Sequence, residues 1–118
     1  MATSRESAVR AYYERVDAAD YEAVFDMFCE DLVYERGGTE AIVGMDEFKR
    51  FYLADRIIDS GRHEVASIVE SGDWVAARGV FTGQLKSSEE VSVNWADFHL
   101  FRGGKIWRRY TYFADRAI

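Results

Sequence analysis

Asp97 and His99 stand two residues apart in the run Val91 to Phe113, V-S-V-N-W-A-D-F-H-L-F-R-G-G-K-I-W-R-R-Y-T-Y-F, and a carboxyl beside an imidazole is basic equipment for moving a proton. β-Branched and aromatic residues crowd both halves of the run and no proline interrupts it, so it reads as two strands joined by a turn at Gly103 and Gly104. Side chains two apart on a strand share a face. Val91, Val93, Trp95, Asp97, His99 and Phe101 therefore line up together, with Ala96, Phe98 and Leu100 opposite. A carboxyl among tryptophan, histidine and phenylalanine has two outcomes. It finds a partner, for which Tyr12, Arg36 and Arg109 are the candidates, or desolvation keeps it protonated. His99, about 7 Å along the same face, is placed to tune Asp97, to act as a base, or simply to pack.

The elements that must hold these groups follow from periodicity. Thr3 with Glu6 reads as a capping box, and Val9, Tyr12, Tyr13 and Val16 recur at helical spacing, so a first helix is expected from about Ser4 to Ala18. Asp20 caps a shorter second helix carrying Tyr21, Val24, Phe25 and Phe28, ending near Cys29. Leu32 to Arg36 is a short strand stopped by Gly37-Gly38. A third helix, capped by Asp46, buries Phe48, Phe51, Tyr52 and Ile58 and ends at Asp59-Ser60-Gly61. Strands then follow at Arg62 to Glu70 and Trp74 to Leu85, with a polar loop from Lys86 to Glu90 before the closing hairpin. Gly79 and Gly83 inside a strand allow the sharp bending or close approach that a sheet curled round a cavity requires. Three helices before a run of strands make the chain α+β, one domain over residues 1–118.

Composition narrows the function. Hydrophobic residues at 48 % and aromatics at 15 % exclude disorder, and no apolar run approaches the roughly 20 residues of a membrane span. A net charge of -6 speaks against nucleic acid as a partner, since no cationic surface is assembled; even Arg108 and Arg109 should point to opposite faces. Cys29 is the only cysteine, and His63 and His99 are the only histidines, so neither a disulfide nor a metal site is expected. The polar opening M-A-T-S-R-E-S is unlike a targeting peptide, and a cytoplasmic location is expected. Both faces of the last hairpin are apolar or aromatic, which predicts a homodimer through the outer sheet face.

R-A-Y-Y-E-R-V-D-A-A-D-Y-E-A-V-F-D-M-F, E-D-L-V-Y-E-R, F-K-R-F-Y and D-F-H-L-F-R-G-G-K-I followed by Y-T-Y-F, in this order, resemble the NTF2-like superfamily, and most of all its SnoaL-like and ketosteroid-isomerase-like branch. The resemblance implies a cone in which three N-terminal helices pack on a strongly curved, mostly antiparallel sheet around an apolar pocket. It also implies that Tyr12 stands where the isomerases place an oxyanion-hole phenol and Asp97 where they place a neutral carboxylic acid. Their general-base aspartate is missing, because Arg36 stands in its place and Glu35 should point away. The epoxide-hydrolase pattern is broken too, with Trp95 in place of an arginine and Thr111 in place of an aspartate. The cyclase and dehydratase pattern asks only for an acid/base group in an apolar pocket.

The expected site is accordingly Asp97, Tyr12 and His99 as catalytic groups, with Arg36, Tyr52, Trp95, Thr111, Phe113 and Phe28 as ligand contacts and no cofactor. The expected ligand is a small apolar carbonyl or hydroxyl compound undergoing proton transfer. The alternative is a non-catalytic binding or dimerisation domain, favoured if the cavity is small and Asp97 is locked to Arg36 or Arg109 rather than facing an open space of roughly 300 Å³. Replacing Asp97 by asparagine is expected to stop turnover at a stability cost within about 2 kcal/mol.

Overall fold

The computed structural model describes residues 4–118. The first helix, α1, is Arg5–Asp17, and its cap is Ser4, whose Oγ accepts the Ser7 N–H at 3.1 Å; the expected capping residue Thr3 lies outside the described residues. Val9, Tyr12, Tyr13 and Val16 form the buried stripe as their spacing requires. Helix α2, Tyr21–Asp26, is shorter than its apolar pattern suggests. Phe28 and Cys29 instead open strand β1, Phe28–Arg36, in which Phe28 pairs with Ile106. Burial at Phe28 satisfies both a helical and a strand reading, so its hydrophobicity alone does not choose between them.

A two-residue strand β2, Ile42–Val43, leads into α3, Gly44–Arg50, and a π-helical turn, Phe51–Asp55. Asp46 is not the cap. The helix starts at Gly44, whose φ of +84° turns the chain sharply, and Asp46 sits in the first turn where its charge favours the helix dipole. Ile58 is the first residue of β3, Ile58–Ser71, so Asp59-Ser60-Gly61 continues a strand rather than ending a helix. Strands β4, Trp74–Leu85, β5, Glu90–Arg102, and β6, Lys105–Phe113, complete the chain.

The six strands form one sheet in the order β2-β1-β6-β5-β4-β3, antiparallel except where β1 runs parallel to β6. A Cβ on Gly79 would collide with the main-chain oxygen of Glu64, and one on Gly83 with that of Ser60, so these glycines let β3 and β4 close up beside two register shifts. The strands alternate as expected. Val91, Val93, Trp95, Asp97, His99 and Phe101 of β5 are buried on the inner face, while Phe98 lies outside with Trp74 and Tyr112. Phe28, Phe48 and Tyr52 interlock beneath α1 and α3, with 4.4 Å between the Phe28 and Phe48 ring centres. Among the described residues no helix is long and apolar enough to cross a membrane.

Candidate functional site

Strand register decides what Asp97 meets. A hairpin turning at Gly103-Gly104 without interruption would set Arg108 opposite His99. A one-residue shift between Leu100 and Phe101 instead pairs His99 with Arg109 and Asp97 with Thr111, turning Arg109 inward. Trp107 has no partner in that ladder, and its ring lies beside the guanidiniums of Arg102 and Arg108 at 4.6 and 4.0 Å. From the inner face Arg109 Nη2 donates to Asp97 Oδ2 at 2.8 Å. Tyr13 on α1 donates its hydroxyl to the same oxygen at 2.7 Å, and Thr111 donates to Oδ1.

Asp97 is thus the partnered carboxylate of the two outcomes. Burial pushes its pKa up, but the Arg109 guanidinium and the Thr111 hydroxyl outweigh this and hold it at about 2. It is ionised, not the neutral acid the isomerase resemblance implies. Arg36 is not its partner. His99 is fully buried and kept neutral, its pKa lowered to about 3 by desolvation despite the carboxylate nearby. The Tyr13 proton goes to Asp97, so His99 meets the Tyr13 oxygen with Nε2–H at 3.1 Å, leaving Nδ1 without a partner among the described residues.

Arg109 also reaches the other side of the site. Its Nη1 donates to the Tyr12 hydroxyl, which shares a short hydrogen bond with Tyr52 from the π-helical turn. The guanidinium is sandwiched between the Tyr12 and Tyr34 rings at 4.8 and 4.4 Å, and Tyr34 bonds Thr111 at 2.9 Å. Burial raises the Tyr12 pKa well above that of a free phenol, so Tyr12 stays protonated. Two phenols own two protons and the bond between them uses one. One O–H therefore remains to donate elsewhere, whichever tyrosine carries it.

Tyr12 and Tyr52 both line a cavity of about 30 Å³, enough for about two waters. Of the expected contacts, Tyr12, Arg36, Tyr52, Trp95, Asp97, Thr111 and Phe113 line it together. Phe28 and His99 do not. Phe28 is core under the helices, and His99 lies behind the Tyr12 and Tyr13 rings, with 6.0 Å between ring centres in each case. Ile118 is also buried against the cavity, and its main-chain oxygen accepts from Arg36 Nη2.

Sequence periodicity missed several groups. Arg56 and His63 line the cavity, and His63 is held by Asp17 at the end of α1, with Nδ1 2.6 Å from Oδ1 and the His63 N–H 2.8 Å from Oδ2. Tyr13, expected only as core, stacks on the His63 ring at 5.1 Å besides holding Asp97. The one available signal was that Asp17, just beyond the buried stripe of α1, adjoins the face carrying Tyr13.

No curated protein matches the chain. Solved structures do. An NTF2-like protein of unknown function from Burkholderia pseudomallei is 17 % identical with a TM-score of 0.83, over 94 % of this chain and 92 % of the other. A candidate polyketide cyclase from Pseudomonas putida KT2440 is 23 % identical with a TM-score of 0.81, over 97 % and 94 %. A hypothetical protein of ketosteroid isomerase-like fold from Catenulispora acidiphila, solved with trimethylamine, is 20 % identical with a TM-score of 0.81, over 96 % and 88 %. These identities establish a shared NTF2-like α+β fold and nothing finer. The SnoaL-like domain matches residues 9–109, and the chain belongs to that family.

Proposed function

We propose that the protein binds a small organic molecule in this cavity and assists proton transfer at a carbon beside a carbonyl or hydroxyl, without a cofactor, in the manner of cyclases, dehydratases or isomerases. The observation that carries this is the Tyr12–Tyr52 pair, which lines the cavity, bonds the Arg109 guanidinium and keeps one phenolic O–H uncommitted. A donor fixed in advance beside a buried positive charge suits an oxygen on which negative charge grows. Asp97 acts here by holding Arg109 under the phenols, not as the acid. The proton acceptor is His63, whose Nδ1–H is engaged by Asp17 while Nε2 has no hydrogen bond among the described residues. The Pseudomonas putida neighbour, described as a candidate polyketide cyclase, is consistent with such chemistry.

The test is deuterium uptake from D₂O beside the carbonyl in a panel of cyclic ketones and enones, followed by NMR. Catalysed exchange should fall about 100-fold or more in Tyr12→Phe and in His63→Gln. Exchange no faster than the protein-free blank across the panel, or unchanged in both variants, removes the catalytic reading.

Size favours a second reading, a non-catalytic binding domain. The cavity is small and Asp97 is locked to Arg109, the combination expected of a structural carboxylate. Saturable binding of the same compounds without exchange would establish it. In either case the exposed aromatic face formed by Trp74, Phe98 and Tyr112 supports a twofold homodimer.

A further inference from the structure

One side chain belongs to two compartments. His63 lines the cavity and also an open groove between α1 and β3, whereas Asp17, at the end of α1, lines the groove but not the cavity. Both oxygens of the Asp17 carboxylate go to His63: Oδ2 accepts the main-chain N–H at 2.8 Å and Oδ1 lies 2.6 Å from Nδ1. That carboxylate makes no other hydrogen bond or ion pair among the described residues. Tyr13, Phe81 and Trp95 pack against the imidazole, with 5.1, 4.8 and 5.6 Å between ring centres, so the plane of the ring is held. The two side chains of the clamp are 12 and 20 % exposed, which leaves little water to compete for it.

We propose that Asp17 is a positioning residue: from outside the cavity it decides which nitrogen of His63 carries the proton, and so makes His63 a base rather than an acid toward the ligand. The assignment rests on the reading of His63 as proton acceptor given above. A main-chain N–H can only donate and an ionised carboxylate can only accept, so the clamp is complete only with hydrogen on Nδ1 and a bare lone pair on Nε2. When Nε2 takes a proton from a carbon of the ligand, the imidazolium keeps its Nδ1–H on Asp17, whose charge stabilises it. The electron pair of the broken C–H bond stays with the ligand, whose oxygen carries the negative charge at the Tyr12–Tyr52 hydroxyls, and a proton returned to the carbon restores neutral His63. Asparagine at this position has nearly the same shape but offers one acceptor and one donor. Its oxygen takes the main-chain N–H, its amide N–H then meets Nδ1, and the proton of His63 moves to Nε2. Asp17→Asn therefore keeps every hydrogen bond of the clamp and turns the base into a donor.

NMR of the histidine ring nitrogens at about pH 8, where an ordinary imidazole is neutral, tests this without any ligand, and His63→Gln assigns the signals. The parent should show His63 with hydrogen on Nδ1, and Asp17→Asn should show it on Nε2. In the D₂O exchange assay Asp17→Asn should lose about 100-fold or more in kcat with KM unchanged, because Asp17 does not line the cavity. Asp17→Glu, which keeps a group that only accepts, should retain the Nδ1–H form and recover part of that rate. A parent with its hydrogen on Nε2, or an Asp17→Asn variant that still carries it on Nδ1, overturns the proposal. A kcat preserved in a variant whose proton has moved overturns it as well. Should Asp17→Asn fail to fold, the parent and Asp17→Glu carry the test: Nδ1–H in both supports the proposal and Nε2–H in either overturns it. A parent that catalyses no exchange removes the catalytic reading alone, since the NMR still decides whether Asp17 sets the proton on His63.

Discussion

Arg109 and Asp97 form a buried ion pair two rungs apart on neighbouring strands, with 2.8 Å between Nη2 and Oδ2 and side-chain exposures of 6 % and 1 %. Charges withdrawn from water in this way depend on each other. Removing one partner strands the other, whereas removing both can be nearly neutral. Asp97→Asn should therefore cost about 3 to 5 kcal/mol in urea unfolding, more than the 2 kcal/mol or so expected of a carboxyl whose partners were unknown. The double variant Asp97→Asn/Arg109→Met should be more stable than Asp97→Asn alone. A single-variant loss below about 1 kcal/mol would mean that the pair is solvated.

The same cluster sets the acid stability. His99 is neutral in the fold with its pKa lowered to about 3 from the ordinary 6.5, so the unfolded chain takes up its proton first as pH falls. Stability contributed by neutral His99 is complete above pH 6.5 and drains away down to about pH 3, by at most about 1.4 kcal/mol per pH unit. Asp97, lowered from 3.8 to about 2, extends the loss below pH 4. His99→Phe should flatten the stability profile between pH 6.5 and 4, make the fall between pH 4 and 3 shallower, and leave the limb below about pH 3. A profile with the parent slope would show that His99 is not the group titrating.

The inward face of β5 was legible because alternation is a local property: Trp95, Asp97, His99 and Phe101 fall inside as counting by twos requires. Across the hairpin the same counting fails. The unpaired Trp107 moves the register by one, so Arg109 and not Arg108 meets Asp97, and nothing in W-R-R-Y announces the shift. Helical spacing placed Tyr12 and Tyr13 on one buried stripe but could not say which hydroxyl reaches Asp97; it is that of Tyr13. Arg56 follows the π-helical turn, whose wider winding departs from the 3.6-residue count, and His63 reaches the cavity from β3, where a helix end was expected just before it.

Close approach of β3 and β4 makes a separate prediction. A methyl group at Gly79 would meet the Glu64 main-chain oxygen, which belongs to the strand backbone and cannot swing aside. Gly79→Ala should destabilise by about 2 to 3 kcal/mol, while Gly72→Ala, with open space around it and only a φ of +58° to accommodate, should cost about 1 kcal/mol. Unfolding curves of the two variants compare the costs directly, and equal losses would show that β3 yields.

The outer sheet face carries the last prediction. Phe98 and Tyr112 stand edge to face at 6.1 Å, Trp74 stacks on Tyr110 at 6.2 Å, and Trp74, Phe98 and Tyr112 are 42, 42 and 59 % exposed. An aromatic patch spread over β4, β5 and β6 loses hydration when covered, and a second copy offers the same patch in return across a twofold axis. Phe98→Glu places like charges face to face in such a dimer and leaves the inner face untouched. Sedimentation equilibrium should show the parent as a dimer and Phe98→Glu as a monomer with an unchanged circular dichroism spectrum. A parent that sediments as a monomer at about 0.1 mM, or a variant that stays dimeric, would show that this face is not the interface.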